Sequence, residues 1–221
     1  MITIKKLIKL TLLLLLLLII IISIFNVNAS NLTFPLLGKT IYLDAGHGGV
    51  DNGATVNNVK EKDLNLQIVY KLKETLTSAG ATVLLTRKDD NDISSPNALY
   101  RKKSDFDNRI KLINNSNADL YISIHQNIYQ NKKYSGPQVF YVKDNQKLAE
   151  ITQNTLNKYL NTKRKVKTIN NTYMYKLLNK KGILIECGFI SNDNERYKLK
   201  TEEYQLKLSK IITEGIITYY S

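Results

Sequence analysis

The alternation of short apolar runs with amphipathic stretches constrains the fold of this chain more than any other feature. Strands are predicted where aliphatic and β-branched residues cluster, at 39–44, 81–86, 120–124, 138–142 and 183–187, with an edge strand at 173–178. Helices are predicted over 62–79, 99–114, 147–160 and 202–219. This order is typical of α/β proteins with a largely parallel sheet. The 221 residues fit a single domain of ordinary size.

The first predicted helix after the opening strand has a clear apolar face. Leu64, Ile68, Leu72 and Leu76 recur every four residues, which is the spacing of one side of an α-helix. Gly80 follows at a position that suits a helix end. The pattern therefore predicts an amphipathic helix that ends before residue 80.

The amino terminus has the pattern of an export signal. Three lysines among the first nine residues precede an almost wholly apolar, uncharged run over 10–25, and Val-Asn-Ala at 27–29 resembles a small-residue cleavage site. The run is short for a bilayer span, which needs roughly 20 apolar residues. Residues 1–29 are therefore predicted to be a signal peptide, with an uncleaved anchor as the alternative. Either way, the folded part is predicted to be exported.

The charge balance is strongly basic. The formal net charge is +13, and +10 remains when the three amino-terminal lysines are removed. A basic exported domain suits a polyanionic surface such as the cell wall or anionic lipid. The export signal, and the lack of an aromatic-rich basic motif or recognition helix, argue against nucleic acid as a partner. Membrane contact is expected only through the amino-terminal segment.

The chain contains two histidines, and each lies where a predicted strand ends in a small or polar turn. His47 follows the strand at 39–44, within a glycine-rich loop, and His125 follows the strand at 120–124. Ligands of open α/β sheets bind in the crevice beyond the carboxyl ends of the strands. Imidazole is the commonest metal ligand in proteins and titrates near neutral pH. Both histidines are therefore candidate metal or acid–base groups.

Two glutamates complete the candidate site. Glu61 stands at the start of the helix that follows the glycine-rich loop, where it is either a third metal ligand or a carboxylate that stabilises the helix terminus. Glu186 lies inside an apolar strand, where burial is costly without a purpose, so it is a candidate general acid/base. The acidic segment 89–92 is predicted to be an exposed, solvated loop rather than a metal site.

Four ordered segments carry a resemblance to a known family. They are DAGHGG at 44–49, KEK at 60–62, SIHQN at 123–127 and IECGFISN at 185–192. In order and spacing they resemble the zinc-dependent N-acetylmuramoyl-L-alanine amidases of the amidase-3 type, from about residue 39 to the carboxyl terminus. The resemblance extends to Leu-Thr-Arg at 85–87 and to Arg109 and Asn114.

The resemblance implies a fold, a cofactor and a reaction. It implies a single α/β domain over 36–221, with a twisted, mostly parallel sheet of about six strands flanked by helices. It implies a Zn²⁺ ion held by His47, Glu61 and His125, with Glu186 as the catalytic residue. The substrate class is peptidoglycan, cut at the amide between N-acetylmuramic acid and L-alanine. The small size and the export signal are similar to those of sporulation amidases that act on the spore cortex, which places the chain outside the cytoplasm, at the cell wall, at the outer face of the membrane or in the forespore intermembrane space.

Several alternatives stay open at this point. A non-catalytic wall-binding or sporulation scaffold, and a zinc peptidase that acts on the stem peptide, fit the same motifs. A cysteine peptidase is disfavoured because Cys187, the single cysteine, would point to the opposite face of the strand from Glu186. Gln126 and Lys181 depart from the family pattern but remove no ligand. A regulatory or targeting protein is an expected partner, because no separate wall-binding module is visible.

Overall fold

The computed structural model describes residues 4–29, 33–169 and 172–221. The chain divides into two compact units, Met1–Phe34 and Pro35–Ser221. The first unit contains helix α1 (Ile4–Ala29), in which Ile4–Ser23 is long and apolar enough to cross a membrane. A signal sequence has the same property, so the helix is compatible with both predictions for this segment. Ser30, which follows the predicted cleavage site, lies outside the described residues.

The second unit alternates strands with helices, as predicted. Its elements, in chain order, are β1 (Thr40–Ala45), β2 (Thr55–Val56), β3 (Val59–Lys60), α2 (Glu61–Ser78), β4 (Thr82–Leu85), α3 (Arg101–Asn114), β5 (Leu120–Asn127), β6 (Gln138–Tyr141), α4 (Gln146–Leu160), β7 (Lys167–Thr168), α5 (Tyr173–Leu177), β8 (Lys181–Phe189), α6 (Asp193–Leu199) and α7 (Glu202–Tyr220).

Six of these strands form one sheet in the order β4-β1-β5-β8-β6-β7. The neighbours β4, β1, β5 and β8 all run parallel, whereas β6 is antiparallel to β8 and parallel to β7. The predicted single α/β domain with a mostly parallel sheet of about six strands is therefore confirmed. The parallel pairing brings the carboxyl ends of β1, β5 and β8 to one edge of the sheet.

A hydrophobic core lies on each face of the sheet. The larger core contains the predicted apolar face of α2, and Leu64, Ile68, Leu72 and Leu76 are all buried there with residues of α4 and α7. Each such burial contributes roughly 2 kcal/mol relative to an exposed side chain. The smaller core lies on the opposite face and includes Ile113 of α3 and Met174 and Tyr175 of α5.

The predicted edge strand at 173–178 is wrong, because this segment forms helix α5 and ends just after it. Met174, Tyr175 and Leu178 are buried, and the residues between them are exposed. That spacing belongs to a helix face and does not alternate as a strand does. The edge position of the sheet is taken instead by the two-residue strand β7.

Candidate active site

The ends of three adjacent parallel strands bring the predicted site residues together. His47 follows β1, His125 lies on β5, and Glu186 lies on β8 directly opposite His125 in the strand register. The β5–β8 register shifts between His125 and Asn127, which is a bulge at the edge of the site. Bulges of this kind re-aim side chains next to functional sites.

His47, Glu61 and His125 form a compact group of candidate ligand atoms. Glu61 Oε1 lies 3.2 Å from His47 Nε2 and 3.0 Å from His125 Nδ1. One ligand atom from each of the three residues lies within 4.8 Å of the others. The two imidazole rings are 5.1 Å apart and nearly perpendicular. The structure therefore brings the three predicted ligands to one point.

The helix-terminus interpretation of Glu61 does not account for its contacts. Its Oε2 accepts a hydrogen bond from the backbone N–H of Ala54 at 2.9 Å, and its Oε1 accepts one from the N–H of Gln126 at 3.1 Å. Neither donor belongs to the first turn of α2. Burial alone would raise the pKa of the Glu61 carboxyl, but hydrogen bonds with His125 and His47 hold it well below its usual range. Glu61 is thus an ionised carboxylate aimed at both histidines.

His47 is held from its outer side by a second carboxylate. Its Nδ1 lies 3.0 Å from Asp51 Oδ2, so its Nε2 faces Glu61. Burial lowers the pKa of His47, and the hydrogen bonds with Glu61 and Asp51 outweigh that effect and raise it. A carboxylate on the outer nitrogen is the usual way in which proteins orient a metal-binding histidine.

Glu186 lies half-buried beside this group, and one of its oxygens is buried without a partner. Its Oε2 has no hydrogen-bond partner among the described residues, although it is inaccessible to solvent. Burial raises the pKa of Glu186 to about 7, with His125 opposing the shift. An orphaned buried oxygen is costly unless it serves a function, and a carboxyl that titrates near neutrality is suited to proton transfer.

His47, His125 and Glu186 line a cavity of about 490 Å³. Its lining also includes apolar side chains of α3, α5 and the neighbouring strands, namely Phe106, Phe140, Ile169, Met174 and Leu184. The cavity can therefore hold a substrate that carries both a polar reacting group and apolar substituents.

Two buried arginines fix the loop that presents His47. Arg109 donates to the carbonyl oxygens of Ala45 at 2.7 Å and of His47 at 2.6 Å. Arg87 donates to the carbonyl oxygens of Ala45 and Gly46. His47 itself has a φ of 63°, which is uncommon for a residue other than glycine. The arginines thus stabilise a strained backbone at the site.

Gly46 is required by the close approach of His125. A Cβ built on Gly46 would lie 2.2 Å from His125 Cε1. Its backbone is otherwise ordinary, so the imidazole ring alone excludes a side chain. The space beside Gly46 is therefore occupied by a candidate ligand.

The donor set fits a zinc ion. Two imidazoles and one carboxylate are the three protein ligands of many catalytic zinc sites, which leave one coordination position open. The orphaned oxygen of Glu186 lies in the same cavity. No lysine or arginine donates to Glu61 among the described residues, so the pair of histidines faces an uncompensated carboxylate.

Two further contacts of the site are absent from the predictions made above. Asp51 was missed, although its position four residues after His47 in the same loop is a usable signal. Tyr175, which contacts His125, was missed because its segment was interpreted as a strand. The departures at Gln126 and Lys181 do not alter the ligand set: Gln126 Nε2 donates to Asn65, and Lys181 is exposed at the start of β8.

The α/β sheet gathers histidines and carboxylates at its carboxyl edge, around a glutamate with one unpaired oxygen. This arrangement defines a hydrolase. Comparison with known families confirms the resemblance seen in the motifs. A family model for N-acetylmuramoyl-L-alanine amidases, Amidase_3, matches residues 41–218, and the chain belongs to this family. Its enzyme class is therefore amidase.

Individual relatives agree with this assignment. The germination-specific N-acetylmuramoyl-L-alanine amidase of Bacillus subtilis is 41% identical over 196 residues, which cover 86% of this chain and 83% of the relative. The CwlD amidase of Clostridioides difficile, solved in complex with the GerS lipoprotein, has a TM-score of 0.78 and 40% identity over 82% of this chain and 98% of that one. An N-acetylmuramoyl-L-alanine amidase from Clostridium difficile 630 has a TM-score of 0.72 and 34% identity, over 82% and 96% of the two chains.

Proposed function

We propose that this chain is a zinc-dependent amidase that cuts peptidoglycan between the lactyl group of N-acetylmuramic acid and the L-alanine of the stem peptide. The observation that carries the proposal is the convergence of His47 and His125 on one oxygen of Glu61, beside the unpaired carboxyl of Glu186. Membership of the amidase family supplies the reaction class.

His47, Glu61 and His125 would hold the zinc ion, and Glu186 would move the protons. Zinc, when bound, supplies Lewis-acid chemistry that favours ionisation of water and stabilises negative charge on the amide oxygen. Glu186 takes a proton from the attacking water as the new C–O bond forms. It then delivers that proton to the amine nitrogen as the C–N bond breaks, so the carboxylate is regenerated. In the metal-free protein burial raises the pKa of Glu186, which favours a carboxyl that can both accept and release a proton.

The shape of the cavity supports a substrate of this kind. The scissile amide is flanked by two methyl groups, those of the lactyl unit and of L-alanine. The apolar side chains that line the cavity, among them Phe140, Met174 and Leu184, can bury methyl groups while the amide faces Glu186.

The amino-terminal segment supports an extracytoplasmic site of action. We assign residues 1–29 to a signal peptide or an uncleaved anchor and residues 36–221 to the zinc amidase domain, at the cell wall or the outer face of the membrane. The apolar helix Ile4–Ser23 supports both forms of the segment. The basic charge of the remaining chain supports attraction to an anionic wall.

The relatives support a role in the spore cortex with a protein partner. The Bacillus subtilis relative is named as germination-specific, and the Clostridioides difficile structure contains a lipoprotein bound to the amidase. We therefore assign this chain to cortex maturation, in the forespore intermembrane space, with a lipoprotein as regulatory or targeting partner.

The test uses residues 30–221 with zinc analysis and purified peptidoglycan, beside a Glu186→Gln variant. We expect about one zinc per chain in both proteins and new L-alanine amino termini with the wild type only. New amino termini from other residues would identify a stem-peptide peptidase instead. A folded protein that neither binds supplied zinc nor cuts the wall would identify a scaffold.

A further inference from the structure

A chain of hydrogen bonds leads from the sheet interior to the outer nitrogen of His125. His125 Nε2 lies 3.2 Å from the hydroxyl of Tyr175, which lies 3.0 Å from Ser123 Oγ. Ser123 Oγ donates to Asp44 Oδ2 at 2.6 Å. Asp44, Ser123 and Tyr175 are buried, so water does not compete for these contacts.

The negative charge of Asp44 determines which group donates and which accepts in each of these hydrogen bonds. Burial alone would raise the pKa of Asp44, but Arg109 and the hydroxyls of Ser123 and Thr86 hold it below its ordinary value. An ionised carboxylate only accepts hydrogen bonds. Ser123 therefore gives its single proton to Asp44, and its oxygen accepts from Tyr175.

Tyr175 then has no proton left for His125. Its single hydroxyl proton is directed to Ser123 Oγ, whose own proton is given to Asp44. The phenol oxygen can only accept from the imidazole, which places the histidine proton on Nε2. The lone pair of His125 then lies on Nδ1, which faces Glu61 Oε1 at 3.0 Å.

We propose that Tyr175 is a positioning residue that keeps the proton of His125 on Nε2 and presents Nδ1 to the metal. The proposal rests on the metal-binding role proposed for His125. In the metal-loaded protein two acceptor atoms, Nδ1 and the Glu61 oxygen, then face each other across the cation, which replaces the hydrogen bond that joins them without metal. Gly46 lies directly against the same ring, since a Cβ there would come within 2.3 Å of its Nε2.

The same reasoning gives the opposite assignment for His47. Its Nδ1 faces the Asp51 carboxylate and its Nε2 faces Glu61, so its proton lies on Nδ1 and its lone pair on Nε2. The two histidines of the chain therefore bind the metal through different nitrogens. Because the sequence contains only two histidines, this difference in the position of their protons can be observed directly.

The first test is a long-range ¹H–¹⁵N correlation spectrum of the zinc-loaded protein, residues 30–221, with ¹⁵N-labelled histidine. The unit Pro35–Ser221 contains the complete core of the domain, so the truncation removes none of it. We expect His125 to carry its proton on Nε2 and His47 on Nδ1, assigned through their Cβ signals. A spectrum with the His125 proton on Nδ1 would overturn the proposal and leave the amidase function intact.

The second test compares two identical substitutions in helix α5. Tyr175→Phe removes the hydroxyl that faces His125, whereas Tyr173→Phe removes an exposed hydroxyl that donates to Asp107. Outer partners of metal-binding histidines are typically worth 10- to 100-fold in metal affinity. We expect zinc dissociation constants, measured by chelator competition, to rise by about that factor for Tyr175→Phe only, with faster exchange of the His125 Nε2–H.

The outcomes separate the two proposals. Unchanged zinc affinity and unchanged Nε2–H exchange in a folded Tyr175→Phe variant would overturn the role of Tyr175. Failure of the wild-type protein to bind zinc would overturn the proposed function as well, because His125 would then not be a metal ligand.

Discussion

Arg109 and Asp44 form an ion pair that is closed to solvent: Nη1 lies 2.6 Å from Oδ1, and each side chain is 1% exposed. The same guanidinium donates to the backbone on both sides of Gly46. The pair therefore links the interior of the sheet to the loop that carries His47. The family motifs included Arg109, but its partner and its burial became visible only in the fold.

Removal of Arg109 should destabilise the fold strongly. Arg109→Met leaves the Asp44 carboxylate buried without its cation, which typically costs about 3–5 kcal/mol. The double variant Asp44→Asn/Arg109→Met should recover part of that loss, because no charge is then left unpaired. Urea unfolding of the three proteins measures both effects. Equal stability of Arg109→Met and the wild type would show that the pair contributes nothing.

The same pair predicts a pH dependence of stability. The folded pKa of Asp44 lies below its ordinary value of 3.8, so its ionised form stabilises the fold above about that pH, and the contribution is lost as the pH falls through the folded pKa. The stability difference between the wild type and Asp44→Asn should therefore shrink on acidification below pH 3.8. A difference that stays constant with pH would contradict the depressed pKa.

Glu186 should show the opposite trend in the metal-free protein. Its folded pKa of about 7 lies above the ordinary value of 4.5, so its ionisation opposes folding as the pH rises between these values. Glu186→Gln should gain stability relative to the wild type across that window, by up to about 3 kcal/mol. Thermal unfolding in the presence of a chelator, from pH 4 to pH 8, measures the gain. A gain in stability that does not change with pH would show that folding leaves the pKa of Glu186 unchanged, as for a solvated carboxyl.

Gly46→Ala should abolish metal binding while the rest of the fold persists. The new methyl group would overlap the His125 ring, so the ring must move away from Glu61. We expect zinc affinity to fall by at least 100-fold. That is the upper end of the loss that follows removal of a contact that only orients a ligand. Gly215→Ala in α7 is the matched control, because its nearest neighbour, at 3.2 Å, lies in α4 and far from the ligands in the fold. Equal zinc affinity in both variants would show that the ring accommodates the methyl group.

The buried thiol of Cys187 should be dispensable for catalysis. Cys187 is fully buried in the larger core, and burial raises the pKa of its thiol well above the ordinary value. Cys187→Ala should keep full amidase activity and lose about 1 kcal/mol of stability from the small cavity. Iodoacetamide should label the thiol only after unfolding. Inactivation of the folded enzyme by iodoacetamide would instead support a cysteine nucleophile.

Local patterns were sufficient to predict most of the sheet and the four principal side chains of the site. The histidines and Glu186 lie on or just beyond apolar strands, and parallel strands carry their ends to one edge, so the strand pattern also predicted the meeting point. The four-residue spacing of leucines and isoleucine in α2 predicted which face is buried.

The contacts around the site could not be predicted in the same way. Tyr175 reaches His125 only because α5 packs beneath the sheet, and the periodicity of a five-residue helix is too short to distinguish it from a strand. The hairpin of β2 and β3 was missed, although its turn through Asn57 and Asn58, both with positive φ, is a local structure that asparagine favours. The contact of Tyr175, in contrast, depends on packing between distant segments.

The position of β8 in the sheet has a consequence for the timing of activity. This strand is the last of the six along the chain, yet it lies between β5 and β6 in the middle of the sheet. A polypeptide that emerges amino end first, from a ribosome or a translocation pore, has an open gap in the sheet until β8 arrives. Glu186 arrives with that strand. With the role proposed for Glu186, hydrolysis of the wall would begin only when the last strand closes the gap.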